Sequence, residues 1–427
     1  MAGTDRDAAP PGQRRVFISH SSHDPFAHEV RNAVCLQLRE KNYQVLVDKD
    51  ELRPGQDWRS VLTHWLADCH AAVLLLTRDA LQSTWVRREI TILMWRRALG
   101  SPVAVIPVLV GDLQPSDVAA AGFSELRQLQ FARLVPTGFG DPEALADDIT
   151  QRLARLPPRQ AETTQMRRWA DRVSFFLTLV GDQDKLGECA RELGVAEEDV
   201  RLVKLHEGSR FLAHQLLDEG MSRHAYRAVR VICDFMGREW LDKLIRDVAF
   251  TWVSGEAARH LVSASHLAVQ QDSVVVTALN AHKQETADDY LNRATCRGEH
   301  WRQVAATPVG EDVVEELVCH YEKTIMDLLG IEPPWTLADA APMDEPAYLI
   351  VDPAGVPLES VISALRIVRE RHRGIVVLLL TGQDTPAVDD SNGWGLGPVQ
   401  VLSPPLQPGD ELAARRNVRA LMQLRNR

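Results

Sequence analysis

The chain has 427 residues, 45% of them hydrophobic and 25% charged, and a formal net charge of -11. That length exceeds one ordinary domain, so two or three are expected, with the composition of a soluble globular protein. The acidic balance disfavours non-specific binding to nucleic acid or to an anionic membrane, so neither is expected as a partner.

Residues 1–13 are polar and rich in small residues and proline, and read as a disordered leader without the apolar stretch of a signal peptide. Arg15-Val-Phe-Ile begins a buried strand, followed by the turn-forming His20-Ser-Ser-His-Asp-Pro and a helix whose apolar positions are Phe26, Val30, Ala33 and Val34. Tyr43–Asp48 is the next strand, then a Pro-Gly loop at Arg53–Asp57 and a helix through Trp58, Val61, Leu62, Trp65 and Leu66. Ala71–Thr77 is a third strand, a helix lies around Trp85–Trp95, Val103–Val110 is a fourth strand, Gln128–Leu134 a weaker fifth, and Pro142–Leu153 a closing helix. Near-continuous apolar strands alternating with helices predict an α/β domain over 14–156 with a parallel sheet covered on both faces.

A polar linker at 157–165 leads to a helical bundle over 166–240, in which Phe175, Phe176, Leu179 and Val180 are read as one face. A second α/β domain occupies 241–427. Its strands are expected at Phe250–Val253, Ser273–Leu279, Tyr348–Asp352, Gly374–Leu380 and Val399–Leu402, with helices at Glu285–Ala294, Asp312–Leu329, Pro353–Arg371 and Asp410–Arg425. The longest apolar runs, Val103–Val110 and Ile375–Leu380, are strand length and far short of a membrane span. Cys35, Cys69, Cys189, Cys233, Cys296 and Cys319 lie far apart and read as buried or free thiols of a cytoplasmic protein. No His/Cys/Asp grouping has metal-ligand spacing, and no cofactor is expected.

Four segments of the first domain carry a family resemblance. They are Val16-Phe-Ile-Ser-His-Ser-Ser-His-Asp24, Asp48-Lys-Asp-Glu-Leu-Arg-Pro-Gly55, Ser83-Thr-Trp-Val-Arg-Arg-Glu89 and Val105-Ile-Pro-Val-Leu109. In order and spacing they resemble the Toll/interleukin-1 receptor (TIR) domain of the bacterial kind, over about a third of the chain. The resemblance implies a flavodoxin-like fold and, in many members, cleavage of NAD+ as substrate by the glutamate of the Trp-x-x-x-Glu element, here Glu89. It places Phe17, His20, Ser21, Asp48, Arg53, Trp58 and Trp85 at the substrate pocket. Where Arg53 and Asp57 fall, some members carry an acidic or aromatic residue, so hydrolysis and cyclisation both stay open.

The chemistry is consistent with that resemblance. In an open α/β sheet ligands sit beyond the carboxyl ends of the strands, where the loops after Ser19, Asp48 and Thr77 fall. Trp85 and Glu89, four apart, share a helical face. Breaking a nicotinamide–ribose bond passes through an oxocarbenium-like state, and nicotinamide leaves neutral, so one carboxylate suffices to orient the ribose and stabilise positive charge. The bland reading of Glu89 is a solvated helix residue paired with Arg87 or Arg88, in a TIR scaffold without catalysis. His20 and His23 read either as bases or as ordinary loop residues.

In the C-terminal half, Tyr348-Leu-Ile-Val-Asp352 resembles the Walker B strand of a P-loop ATPase. Gly-x-x-x-x-Gly-Lys-[Ser/Thr] is absent, and Phe250–Ala258, near the expected first strand, lacks the lysine and the glycine run. The region resembles a degenerate, inactive signal-transduction ATPase (STAND) module, without ATP hydrolysis. The whole reads as a TIR effector in bacterial defence. It self-associates through its TIR domains, including the Arg53-Pro-Gly55 loop, and answers to a trigger, protein or nucleotide, at the C-terminal part.

Overall fold

The computed structural model describes residues 14–21, 25–47, 62, 65–98, 103–123, 126, 129, 131–133, 142–155, 165–195, 200, 208–217, 222–271, 273–297, 302–305, 312–331, 347–353, 355–382, 394–397, 399–407 and 409–426. The chain divides into two compact units, Met1–Arg168 and Trp169–Arg427.

The first unit is α/β. Its described elements are β1 (Arg15–Ser19), α1 (Pro25–Glu40), β2 (Gln44–Val47), β3 (Ala71–Leu76), α2 (Arg78–Gln82), α3 (Thr84–Ala98), β4 (Ala104–Leu109), α4 (Pro115–Ala120), β5 (Ala132–Arg133) and α5 (Pro142–Ala154). All strands pair in parallel in the order β2-β1-β3-β4-β5, the flavodoxin-like arrangement. Parallel strands joined by helices are covered on both faces, which is why β3, Ala-Ala-Val-Leu-Leu-Leu, is buried at every position. The two-residue period of β1 divides its side chains between two cores. Val16 and Ile18 join Val30, Val34, Leu38 and Ile149 beneath α1 and α5. Phe17 faces the other way, with Leu74, Leu76, Val86, Ile90 and Leu93 under α3. The expected fifth strand, Gln128–Leu134, is reduced to Ala132–Arg133 among the described residues.

The division between the units falls within α6 (Gln165–Thr178). The second unit continues with α7 (Gln183–Glu192), α8 (Gly208–Leu216), α9 (Ser222–Ile232), α10 (Arg238–Ala249) and α11 (Gly255–Gln270). Its sheet follows through β6 (Val274–Leu279), α12 (Gln284–Thr295), β7 (Arg302–Ala305), α13 (Val313–Leu328), β8 (Ala347–Val351), α14 (Leu358–Arg371), β9 (Ile375–Leu380), β10 (Gln400–Val401) and α15 (Asp410–Gln423). Its five described strands are again parallel, now in the order β10-β6-β9-β8-β7.

Two expectations are corrected. Phe250–Val253 is not a strand: Phe250 is the C-cap of α10, and Thr251 and Val253 close turns onto Val248 and Phe250. The aromatic and β-branched content misled because Phe250 serves packing instead, stacking on Trp169 with ring centroids 5.0 Å apart. Phe175, Phe176, Leu179 and Val180 are not one helical face: α6 ends at Thr178, and Phe176 and Val180 are buried while Phe175 and Leu179 are exposed. The compact unit Trp169–Arg427 holds both the helices read as a bundle and the second sheet, and in it α15 packs against α9 and α10. Of the cysteines, all free thiols, five are buried and Cys319 is exposed.

Candidate active site

In the strand order of the first sheet the connections leave β1 and β3 in opposite directions, so the crevice beyond their carboxyl ends is the topological switch point. Ser19, the last residue of β1, sits beside Leu74 of β3. By the alternation that turns Phe17 toward α3, Ser19 faces the same side. There its Oγ donates to Oε2 of Glu89 at 2.5 Å.

Glu89 is only 2% exposed. It is therefore not the solvated helix residue of the bland reading. Burying a carboxylate is costly unless hydrogen bonds satisfy it, so its place at the sheet edge is a specified feature. The helix carrying it is well anchored. Thr77 caps α2, its Oγ1 accepting from the Ala80 amide at 3.1 Å, and Ser83 Oγ accepts from the Val86 amide at 3.3 Å at the start of α3. Arg87 donates to the Ala121 carbonyl at 2.7 Å and lies over the Phe123 ring. At the far end buried Arg96 donates to the carbonyls of Leu66 and Cys69. Trp85, one turn before Glu89, is partly buried against the α3-side core with the Arg88 guanidinium 5.3 Å over its ring.

His20 follows Ser19 and is buried against α1. Its Nε2 lies 3.1 Å from Nη1 of buried Arg31. A guanidinium only donates, so Nε2 accepts, and the ring proton of neutral His20 is on Nδ1. That excludes Nε2 as a free base while this contact holds. The His28 ring meets His20 edge-on at 5.5 Å. Ser21 is also buried.

Of the sequence-predicted positions, Glu89, His20, Ser21 and Trp85 are thus near the carboxyl edge of β1 or on α3. Phe17 is instead a wholly buried core residue. Asp48, Arg53 and Trp58, with His23 and the Arg53-Pro-Gly55 loop, lie outside the described residues. Sequence reasoning missed Ser19 and Arg31 as partners. The signal for Arg31 was available, since it lies four residues after Ala27 and three before Val34, on the buried side of α1.

In the second unit Asp352 follows β8. The first strand of that sheet is β6, not the Phe250 region, and it runs into Asn280-Ala-His-Lys-Gln284, again without a glycine run. Among the described residues no group of three or more His, Cys, Asp or Glu could hold a metal ion, and no helix is long and apolar enough to cross a membrane.

No curated protein matches the chain. Among solved structures, one described as the activated Roq1 resistosome directly recognizing the pathogen effector XopQ (TIR domains) is similar over 33% of this chain and 99% of that chain, at 20% identity and a TM-score of 0.27. The family profile of the TIR domain matches residues 16–147, the span that holds the first sheet and the Ser19–Glu89 pair. Residues 16–147 of this chain are a TIR domain.

Proposed function

We propose that this TIR domain cleaves NAD+ at the nicotinamide–ribose bond with Glu89 as the catalytic carboxylate. The observation that carries the reading is Glu89 itself, a carboxylate buried at the β1/β3 switch point and oriented by the Ser19 hydroxyl. As the C1′–N1 bond breaks, its electron pair passes to the nicotinamide nitrogen, which leaves neutral. Positive charge develops on the ribose, and a fixed carboxylate in a water-poor site stabilises it. Water attack at C1′ with loss of a proton gives ADP-ribose; attack by a nucleophile of the same molecule gives a cyclic product.

The carboxylate is closed from solvent in the single chain, which fits an enzyme silent until its covering residues move. In this reading TIR–TIR association supplies that movement, and the second unit controls it in answer to a trigger, in a cytoplasmic defence response. The test is NAD+ consumption by the concentrated full-length protein beside Glu89→Ala, with products separated by chromatography. The expected loss is roughly 10²–10³-fold, the scale of removing one preorganised electrostatic group. A non-catalytic scaffold would show the same residual turnover in both proteins.

A further inference from the structure

The second sheet treats its carboxyl edge differently. Where β6 hands over to α12, Lys283 stands at the N-cap and makes no side-chain capping bond. The Glu411 carboxylate, from the first turn of α15, fills that place. The amide of His282 donates to its Oε2 at 3.1 Å, and the amide of Lys283 and the Thr286 hydroxyl donate to its Oε1 at 2.9 and 2.6 Å. Arg415, one turn further along α15, donates to the same Thr286 oxygen at 2.9 Å and lies 3.7 Å from Glu285. The approach to α15 is tied down as well: Asn280 and Leu406 exchange two hydrogen bonds, each of 2.9 Å. Beside it the turn after β9 is zipped to the turn after β6, the Gly382 amide donating to the Ala281 carbonyl at 3.2 Å. Gly382 has φ +67°, and a Cβ there would meet the His282 ring at 3.2 Å, so the two turns are in close contact.

We propose that α15 is a detachable strap over the turn that follows β6 at the carboxyl edge of the second sheet, fastened by Glu411 to the start of α12. A negative carboxylate at the first turn of a helix is favoured by the unpaired amides and the helix dipole there. α15 also rests on α9 and α10, and what makes the strap detachable is the thinness of its apolar footing there. α14 and α15 each have 14 residues; α14 buries Val361, Ile362, Ala364, Leu365 and Val368, whereas α15 buries Ala414 and Leu421. Leu412 of α15 is exposed. An element with little buried apolar surface and solvent-facing polar contacts opens at low free-energy cost. The turn after β6, part of the edge that in open α/β folds meets ligands, is thus held by α15, and release of that helix frees it.

Hydrogen exchange with mass spectrometry on the full-length protein tests this, comparing wild type, Glu411→Gln and Glu411→Ala. Glu411→Ala should speed exchange at least roughly 10-fold in peptides covering 280–286 and 410–423, with β6 and β9 as protected as before. Glu411→Gln, which keeps an acceptor oxygen without the charge, should fall between. Unchanged exchange at 280–286 in Glu411→Ala would overturn the fastening role. Loss of protection throughout the second unit would overturn detachability and make α15 part of its core.

Discussion

The two sheets are alike in kind and opposite in use. Among the described residues each has five parallel strands, and each presents strand-to-helix turns at its carboxyl edge. In the first, that edge holds a buried carboxylate facing a hydroxyl, with His20, Arg31 and His28 on the α1 side. In the second, a carboxylate from α15 is spent on the backbone of the turn itself. A parallel sheet creates a place where chemistry can be built, and the side chains delivered there decide whether it becomes a site or a seam.

The second unit also carries a response to pH of its own. Burial pushes the Asp289 carboxyl on α12 up to about 7, against the Trp252 hydrogen bond and Arg415. Burial, then Arg259, pulls His260 down to about 4. The native state thus holds a proton on Asp289 that the unfolded chain releases near pH 4, so this group costs stability as pH rises from about 4 to about 7. His260 has the opposite sign, costing stability as pH falls from about 6.5 to about 4. The two largely cancel in that window. Asp289→Asn, which leaves an oxygen to accept from Trp252, should stabilise the second unit by about 2–4 kcal/mol above pH 7. It should also leave a stability that climbs from pH 4 to 6.5, measurable by denaturant titration across pH. A flat or falling profile in the variant would sink the assignment.

Next in size is Ser19→Ala. It removes a hydrogen bond to a buried charged group, an interaction worth about 1.5–3 kcal/mol, so turnover should drop about 10–100-fold while exchange at β6 and β9 stays as in wild type. Full turnover would show that the hydroxyl does not hold the carboxylate in its working position. The smallest effect is expected from Arg31→Met. With the donor gone, nitrogen NMR of His20 should change from one Nδ1–H tautomer to a mixture, with less than a roughly tenfold change in turnover. An unchanged tautomer would mean that other neighbours fix the ring.

Much of the fold was legible because buried parallel strands advertise themselves. Ala71–Leu76, Ile375–Leu380 and Val274–Leu279 are apolar runs of strand length. The edge strand Arg302–Ala305, Arg-Gln-Val-Ala, has too little apolar character to stand out. Phe250–Val253 has strand-like residue types but packs as a helix end. That Trp85 and Glu89 share one helix was legible through their spacing. The contacts that define the two edges were not: Ser19 meets Glu89 across 70 residues, and Lys283 meets Glu411 across 128. Local periodicity carries no information on pairings at that separation; only the strand order, which brings the ends together, supplies it. The alternation of β1 that aims Ser19 at Glu89 buries Phe17 one step deeper in the same core.

The measurement that tests the central claim most directly is a time course of nicotinamide release from NAD+ by concentrated full-length protein, wild type against Glu89→Gln. Both samples are first matched for folding by circular dichroism. Gln fills the space of the carboxylate and can still accept from Ser19, but it carries no charge. The account predicts steady nicotinamide release by the wild type and at most about a hundredth of that rate from the variant. Equal rates from the two proteins would contradict it, and would move the chemistry away from the carboxylate at the β1/β3 edge.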